Sequence, residues 1–507
     1  MLKEKVIEIL KESLGKEANL EHPSNPEFGD YSTNVALKEK INPDEIIKKL
    51  EKNSFFAKVE KAGPGFINLT LSQESFLNEL NQILKEKDNY GNLEIGKKKK
   101  IQVEFISANP TGPLTVGNAR GGPYGDVLAN VLKKAGFETE KAYYVNNAGM
   151  QILTLGHSVL GNKEGKYKGE YINQLRKKIK ETDPLKVGQI AAKHIIQDYI
   201  KKTTDQLGIK FDEWIFESDL YDSGKVDQTL KLLEKEGYIY EKEKAQWFKS
   251  SEFGDERDRV VVKGDGEKTY LMADIALHRY KFKEKKFDKV INIWGADHHG
   301  DVAGLMAGVE AIGYKGKLEI ILLQFVTLLD KGEKKRMSKR VGVYVNMDEI
   351  LGQVGPDAAR FFILQKSPDT HLNFDLELAK EQSKKNPVFY VQYAYARISS
   401  ILRKAEKEGI KPNDQIKELK EKEELNLVRH LIQFPEIVQD TARDYQIQRF
   451  PQYSLELANA FHRFYEKCRV MSEDKEESQN RVSLIKATQI ILKNTLDLMG
   501  ISAPEKM

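Results

Sequence analysis

The sequence predicts an α/β protein with three parts: a small N-terminal α/β domain, a larger domain built on a parallel sheet, and a C-terminal α-helical bundle. Three observations predict it. Ile101, Val103 and Phe105 alternate as a strand entering a buried sheet. A Gly/Pro-rich loop follows at Ala108–Gly117, then a helical stretch at Asp126–Lys134 ended by Gly136, then a second strand at Glu138–Val145. Strand, glycine loop, helix and strand in that order form a βαβ unit, which makes the sheet parallel. From residue 385 onward apolar positions recur at helical spacing in Leu425–Ile432, Tyr453–Val470 and Leu484–Leu498, the pattern of a helical bundle.

The elements follow in chain order. Residues 1–85 read as the small domain: a helix over Leu2–Leu14, a loop at His22–Asp30 broken by Pro23, Pro26 and Gly29, and a helix over Asp44–Lys52. A strand pair over Lys58–Leu71 turns at Gly63-Pro64-Gly65. Four lysines, Lys97–Lys100, read as a solvated linker. The parallel-sheet domain is expected over 98–375. It carries a largely helical insertion at about 150–235, and its sheet resumes at Val260–Val262, Val290–Trp294 and Leu318–Leu323. Gly300, Gly304 and Gly308 step by four, a spacing that favours close helix packing. The bundle occupies 385–507.

Composition narrows the class. With 40% apolar and 31% charged residues, the 507-residue chain fills ordinary cores and is not disordered. The 81 basic and 77 acidic residues leave a net charge of only +4, so any nucleic-acid-binding patch must be local. The single cysteine, Cys468, excludes an internal disulfide and a multi-cysteine zinc site. Met1–Leu10 is amphipathic and charged, unlike a signal peptide. The longest apolar stretch, Leu318–Leu329, holds Glu319 and Gln324 and falls short of the ~20 residues a membrane span needs. The expectation is a cytoplasmic, non-membrane protein, monomeric and without a tightly bound metal.

The strongest local signal is Asn109–Asn118, NPTGPLTVGN, between strand and helix. Backbone N–H groups at a helix start attract anions, and glycines let a phosphate come close. Gly112 and Gly117 have the glycine spacing of a P-loop, but Asn118 and Ala119 stand where Lys and Ser/Thr belong, and no GxGxxG occurs at this turn. A second signal, Lys334–Arg340, KKRMSKR, crowds five cations into seven residues beside Gly332 and Gly342.

Together these segments resemble the two signatures of class I aminoacyl-tRNA synthetases. Thr115, Val116, Gly117 and Asn118 take the HIGH positions, with Thr and Asn replacing both histidines. Arg336, Met337, Ser338 and Lys339 take the core of the KMSKS loop, with Arg336 in place of its first lysine. Further segments resemble the arginyl-tRNA synthetase family: FGDYSTNVA (Phe28–Ala36), AGPGFINL (Ala62–Leu69), YVNNAGMQ (Tyr144–Gln151, with Asn147 in place of Asp) and GADHHG (Gly295–Gly300). QYAYAR (Gln392–Arg397), FHRFYEKCRV and the GISAPEKM ending extend the resemblance through the bundle.

That resemblance implies a Rossmann-like catalytic domain, an anticodon-binding bundle, and ATP-dependent activation of L-arginine for transfer to tRNA(Arg). It implies adenylate formation only with tRNA bound, and Mg2+ arriving with ATP. It assigns Thr115, Gly117, Asn118 and Lys339 to catalysis. It assigns Pro110, Gly112, Gly117, Met337, Ser338 and Lys339 to ATP, and Glu104, Asn109, Glu217, Tyr270 and Asp274 to arginine; His298 and His299, at a strand end, are candidates for lining the ATP adenosine pocket, with packing or capping as the alternative. The acids suit the substrate, because a planar guanidinium with five N–H donors needs acceptors in a fork. Tyr270 and Asp274, four residues apart, share a helix face. Tyr390, Tyr393 and Arg397 also share a face and are candidates for stacking on unpaired tRNA bases, with core packing as the alternative. Two other readings stay open: another class I synthetase, such as the cysteinyl or glutamyl kind, and a catalytically inactive tRNA-binding relative.

Overall fold

The computed structural model describes residues 1–23, 25–335, 345–413 and 415–507. Its centre is a five-stranded sheet in the spatial order Leu318–Leu323, Lys289–Gly295, Lys100–Glu104, Glu138–Val145, Glu213–Phe216. All four neighbouring pairs are parallel. Numbered along the chain this is 3-2-1-4-5, a doubly wound α/β sheet that reverses direction beside its first strand. Lys100–Glu104 is central, and only its first residue is exposed, which explains the apolar run there.

Two sheet expectations are corrected. Arg259–Val262 pairs antiparallel with Ala245–Phe248, which pairs with Ile239–Lys242, in a separate three-stranded sheet. A three-residue apolar run looks alike in either sheet, so periodicity could not place it. Conversely, Glu213–Phe216 lies inside the stretch expected to be a helical insertion yet forms the edge strand of the main sheet. The helix after the signature loop also starts earlier than expected. It runs Gly121–Lys134, preceded by a turn at Val116–Ala119, and Arg120 between them keeps helical backbone angles. Its glycines bring it close to the sheet: a Cβ on Gly125 would lie 2.2 Å from the Phe105 ring. Likewise a Cβ on Gly308, in the helix His299–Ala311, would lie 2.4 Å from Ile275, whereas one on Gly300 would meet nothing within 4 Å. The close-packing reading therefore holds for Gly308 and not for Gly300.

At the N-terminus, Phe56–Ala62 and Phe66–Leu71 form the expected hairpin, and Tyr31–Thr33 adds a third strand. At the C-terminus, among the described residues, the helices Pro387–Lys407, Lys422–Ile432, Phe434–Asp444, Arg449–Lys467 and Lys475–Met499 make the bundle. The two ends of the chain meet. Tyr31 Oη donates to Glu436 Oε1 at 2.5 Å, and Arg429 Nε donates to Asp30 Oδ1 at 2.7 Å. One buried apolar cluster runs from Leu2 to Ile501 through the central sheet, and a second fills the far side of the sheet around Ile215, Phe248 and Ile275. Among the described residues no helix is long and apolar enough to cross a membrane.

Arg360 ties bundle to sheet. It is fully buried and donates Nε to Met499 O (2.7 Å), Nη1 to Leu207 O (2.8 Å) and Nη2 to Asp126 Oδ2 (2.6 Å). Asp126 accepts a second cation, Lys141 Nζ, at 2.6 Å. Gly500 makes room, since it sits at φ +64° and a Cβ there would lie 2.4 Å from Arg360 Nη2. Removing one partner of a buried ion pair costs ~3–5 kcal/mol. Arg360→Leu is expected to lower the thermal unfolding midpoint markedly and Gly500→Ala to lower it less. The double variant, melted alongside, should lose less than the sum, because both changes disrupt one contact.

Candidate active site

In an open α/β sheet the loops leave the strand ends in opposite directions where the order reverses, and a crevice opens there. Here that point lies between Lys100–Glu104 and Lys289–Gly295. Two cavities occupy it, of about 1040 Å³ and 510 Å³. They share a wall made by Ile106, Ser107 and Asn109 after the first strand and by Trp294, Gly295 and His298 after the fourth. A ligand in one abuts a ligand in the other.

The larger cavity is floored by the signature loop: Gly112, Thr115, Gly117 and Asn118 line it. Thr115 caps the helical turn. Its Oγ1 accepts from Asn118 N–H at 3.3 Å and donates to Asn118 Oδ1 at 2.7 Å. The two residues that replace the signature histidines therefore hold each other. Gly117 faces the opening, and Gly112 keeps the loop near Tyr171, whose Oη would lie 3.1 Å from a Cβ there. Lys166, Tyr167 and Lys168, from the mostly helical stretch, close the opposite side. The buried Arg120 donates Nη2 to the carbonyls of Ser367 and Thr370 (3.0 and 2.9 Å) and Nη1 to that of Gln324, fastening the loop to the next strand ends. Burial lowers its guanidinium pKa to about 10.

Met347 N–H donates to Leu114 O at 2.8 Å, and Thr115 bridges Asn346, so the chain following the second signature runs beside the first. Arg336, Met337, Ser338 and Lys339 themselves lie outside the described residues. Two expected ATP contacts are absent from the cavity walls. Pro110 is buried and does not line the larger cavity. His299 begins a helix and is exposed away from both cavities, whereas His298 lines both.

The smaller cavity is acidic. Glu104, Glu217, Asp274 and Asp301 line it, and Tyr270 stands exposed at its rim. Arg259, which also lines it, is turned to Asp255 (2.7 and 2.9 Å). Glu104 is partly neutralised from behind. Lys281 Nζ, fully buried, donates to its Oε2 at 2.5 Å, and Ser107 Oγ donates to its Oε1 at 3.2 Å. Glu217 is buried and accepts from Tyr144 Oη at 2.8 Å; burial raises its pKa, against the lowering effect of that bond. Burial first, then the Glu104 and Glu217 carboxylates, push Asp274 well above the usual carboxylate range. Asp274 has no side-chain hydrogen bond or ion pair among the described residues.

Local backbone supports the wall. Ile106 and Ser107 adopt φ +65° and +39°, a left-handed conformation rare for a β-branched residue and typical of strained functional turns. This turn lets Ser107 bond Glu104 while its Oγ accepts from Tyr144 N–H at 3.1 Å. Asn147 uses its whole amide. Nδ2 donates to Ser218 Oγ (2.9 Å) and Oδ1 accepts from Ser218 N–H (3.0 Å), which fixes the turn presenting Glu217. An aspartate could not donate the first of these bonds.

Sequence reading missed Ser107, Tyr144, Asn146, Lys281 and the lysines of 166–168. One signal was available for Lys281: Tyr270, Asp274, His278 and Lys281 step by four, four and three, a polar stripe along one face of the helix. In the bundle, Tyr390, Tyr393 and Arg397 do come together. Both tyrosine rings face His462 (5.1 and 6.1 Å between centroids), and the Arg397 guanidinium lies over Tyr393 and Tyr465 (5.8 and 5.5 Å). The tyrosines are half-buried and Arg397 is exposed, so the cluster both packs and presents a surface.

Comparison with known proteins agrees with this geometry. Residues 1–71 match the arginyl tRNA synthetase N-terminal domain, 162–399 the class I (R) tRNA synthetase catalytic domain, and 391–507 the DALR anticodon-binding domain. An arginine–tRNA ligase of Acetivibrio thermocellus is 40% identical over 100% of this chain and 99% of its own. One of Carboxydothermus hydrogenoformans is 42% identical over 96% and 94%. The solved arginyl-tRNA synthetase of Thermus thermophilus superposes with a TM-score of 0.79 at 22% identity, covering 100% of both chains, a likeness of fold. With full-length identity at this level and a doubly wound sheet that opens on a nucleotide-sized cavity joined to an acidic one, the chain belongs to the arginine–tRNA ligase family of class I tRNA synthetases.

Proposed function

We propose that the two cavities form one active site that joins L-arginine to tRNA(Arg) at the expense of ATP, releasing AMP and diphosphate. The observation that carries this is the shared wall: a glycine-floored cavity large enough for a nucleotide abuts a cavity lined by Glu104, Glu217, Asp274 and Asp301. ATP binds the larger space with its Mg2+ as part of the substrate. The phosphates rest near the N–H groups around Gly117, with Thr115 and Asn118 shaping the turn and Gly112 and His298 beside the nucleotide. The guanidinium of arginine enters the smaller space between Glu217 and Asp274, with Glu104 behind, Tyr270 at the rim and Asn109 at the junction.

The arginine carboxylate then attacks the α-phosphorus, pyrophosphate leaves, and the terminal ribose hydroxyl of the tRNA attacks the activated carbonyl. No protein nucleophile is required; positioning and charge stabilisation suffice. Lys339, with Met337 and Ser338 in its loop, neutralises charge developing on the leaving group. Residues 1–85, 98–375 and 385–507 serve as the N-terminal tRNA-binding, catalytic and anticodon-binding domains, and Tyr390, Tyr393 and Arg397 contact unpaired bases. We take the protein to be monomeric and cytoplasmic; its lone thiol, Cys468, is buried with its pKa pushed up to about 11, which suits a chain that forms no disulfide.

The direct test is charging of total tRNA with labelled arginine, with and without ATP, beside a panel of the other amino acids. Charging with a different amino acid alone removes the arginine assignment, and no charging at all favours the inactive relative. Lys339→Ala should slow arginine activation by ~10²–10³; unchanged turnover in a folded variant removes the role. Asp274→Asn should chiefly raise the arginine KM, with the ATP KM little changed.

Arginine binding should also depend on pH in a defined direction. A cation favours ionised Asp274, whose pKa in the empty site is raised. Affinity therefore climbs as pH rises above the usual carboxylate value of ~3.9 and levels off once Asp274 is ionised. Isothermal titration across this range should show the slope in the parent protein and its loss in Asp274→Asn.

A further inference from the structure

Beneath the acidic cavity lies a neutral acceptor to which no role has been given above. Asn292 is on the strand Lys289–Gly295, directly opposite Glu104 in the parallel register, so both side chains leave the same face of the sheet. Its side chain is almost wholly buried and lines the smaller cavity. Its Oδ1 is buried without a hydrogen-bond partner among the described residues. A buried amide oxygen left unpaired costs free energy unless something fills its place.

The orientation of this amide is dictated by His278. His278 Nδ1 lies 2.7 Å from the carbonyl oxygen of Asp274. A carbonyl only accepts, so Nδ1 carries the hydrogen. In a neutral ring Nε2 is then an acceptor. Asn292 Nδ2 lies 3.0 Å from that Nε2 and must donate to it. With Nδ2 committed, Oδ1 cannot turn to the histidine. Burial, with Lys281 nearby adding to the effect, holds the ring neutral by lowering its pKa to about 3. The same helix thus contributes Asp274 as the charged acceptor and, through its carbonyl and His278, fixes the neutral one.

We propose that Asn292 is a specificity-determining residue that accepts one N–H of the substrate guanidinium through Oδ1, and that His278 is the positioning residue that holds its amide in the accepting orientation. The assignment rests on the reading of the smaller cavity as the arginine site. It gives the fork a second kind of prong. Carboxylates attract any cation, including an ammonium, whereas a fixed amide oxygen beside them rewards a group with donors in several directions. A site with buried acceptors left unpaired discriminates strongly against a substrate lacking the matching donors.

The test uses the full-length protein and steady-state charging of tRNA with arginine. Asn292→Leu keeps the volume and removes the acceptor; the arginine KM should rise about 10- to 100-fold, the loss of one bond to a charged donor, with the ATP KM within about twofold. His278→Phe frees the amide to turn. It should raise the arginine KM alone yet add nothing in the Asn292→Leu background, which a merely structural role would not produce. If Asn292→Leu fails to fold, Asn292→Ser, whose shorter side chain removes the amide oxygen, should show the same selective rise. An unchanged arginine KM in the folded Leu or Ser variant, or additive effects of His278→Phe, would each overturn the inference. A parent protein that charges tRNA with an amino acid other than arginine overturns the underlying reading instead, so the two failures are distinguishable.

Discussion

The constraint on which the rest of the site depends is the reversal of strand order beside Lys100–Glu104. Its two neighbours, Glu138–Val145 and Lys289–Gly295, are reached by crossovers that leave in opposite directions. Helices therefore pack on opposite faces, and the loops at this one place diverge instead of closing over the strand ends. Both cavities open at that gap. The signature loop follows the first strand, Trp294 and His298 follow the fourth, and the helix Tyr270–Lys283, which enters the fourth strand, brings Asp274 to the same edge.

Charge in the smaller cavity is compensated unevenly. Lys281 compensates Glu104 in a buried pair. Glu217 has only the Tyr144 hydroxyl, and Asp274 has no side-chain partner among the described residues. Uncompensated carboxylates in a low-dielectric space raise one another's pKa, and an entering cation relieves this. Had Lys281 been absent, three buried acids would face one another and the empty site would be far costlier to hold. The buried lysine is thus a structural condition for keeping the other acids available.

The seams between the parts of the chain are made differently from the site. Arg360 satisfies carbonyls from two separate segments and a carboxylate from a third, while Tyr31, His22 and Arg429 join the N-terminal strands to the bundle through Glu436 and Asp30. These contacts are directional, whereas the apolar cluster around them is not. Together they hold one continuous core, within which the two ends of the chain pack side by side.

What the sequence alone determined is local in origin: the strand–glycine loop–helix–strand unit, the N-terminal hairpin, the bundle helices, the signature segments, and the shared face of Tyr270 and Asp274 on the helix Tyr270–Lys283. Each depends on neighbours within a few residues, through turn chemistry, helix capping or side-chain period. What only the tertiary structure decided is non-local. Glu213–Phe216 joined the main sheet and Arg259–Val262 did not, since short strands choose partners by long-range packing and not by their own pattern. Pro110 and His299 turned away from the cavities, since a motif's presence does not set the direction of each side chain. Lys281 met Glu104 and Asn292 met His278 across the sheet, and Thr115 spent its hydroxyl on Asn118. Sequence spacing reveals which groups are available, but the partner of a buried polar group depends on which distant segment is packed against it, and that is settled only when the core closes.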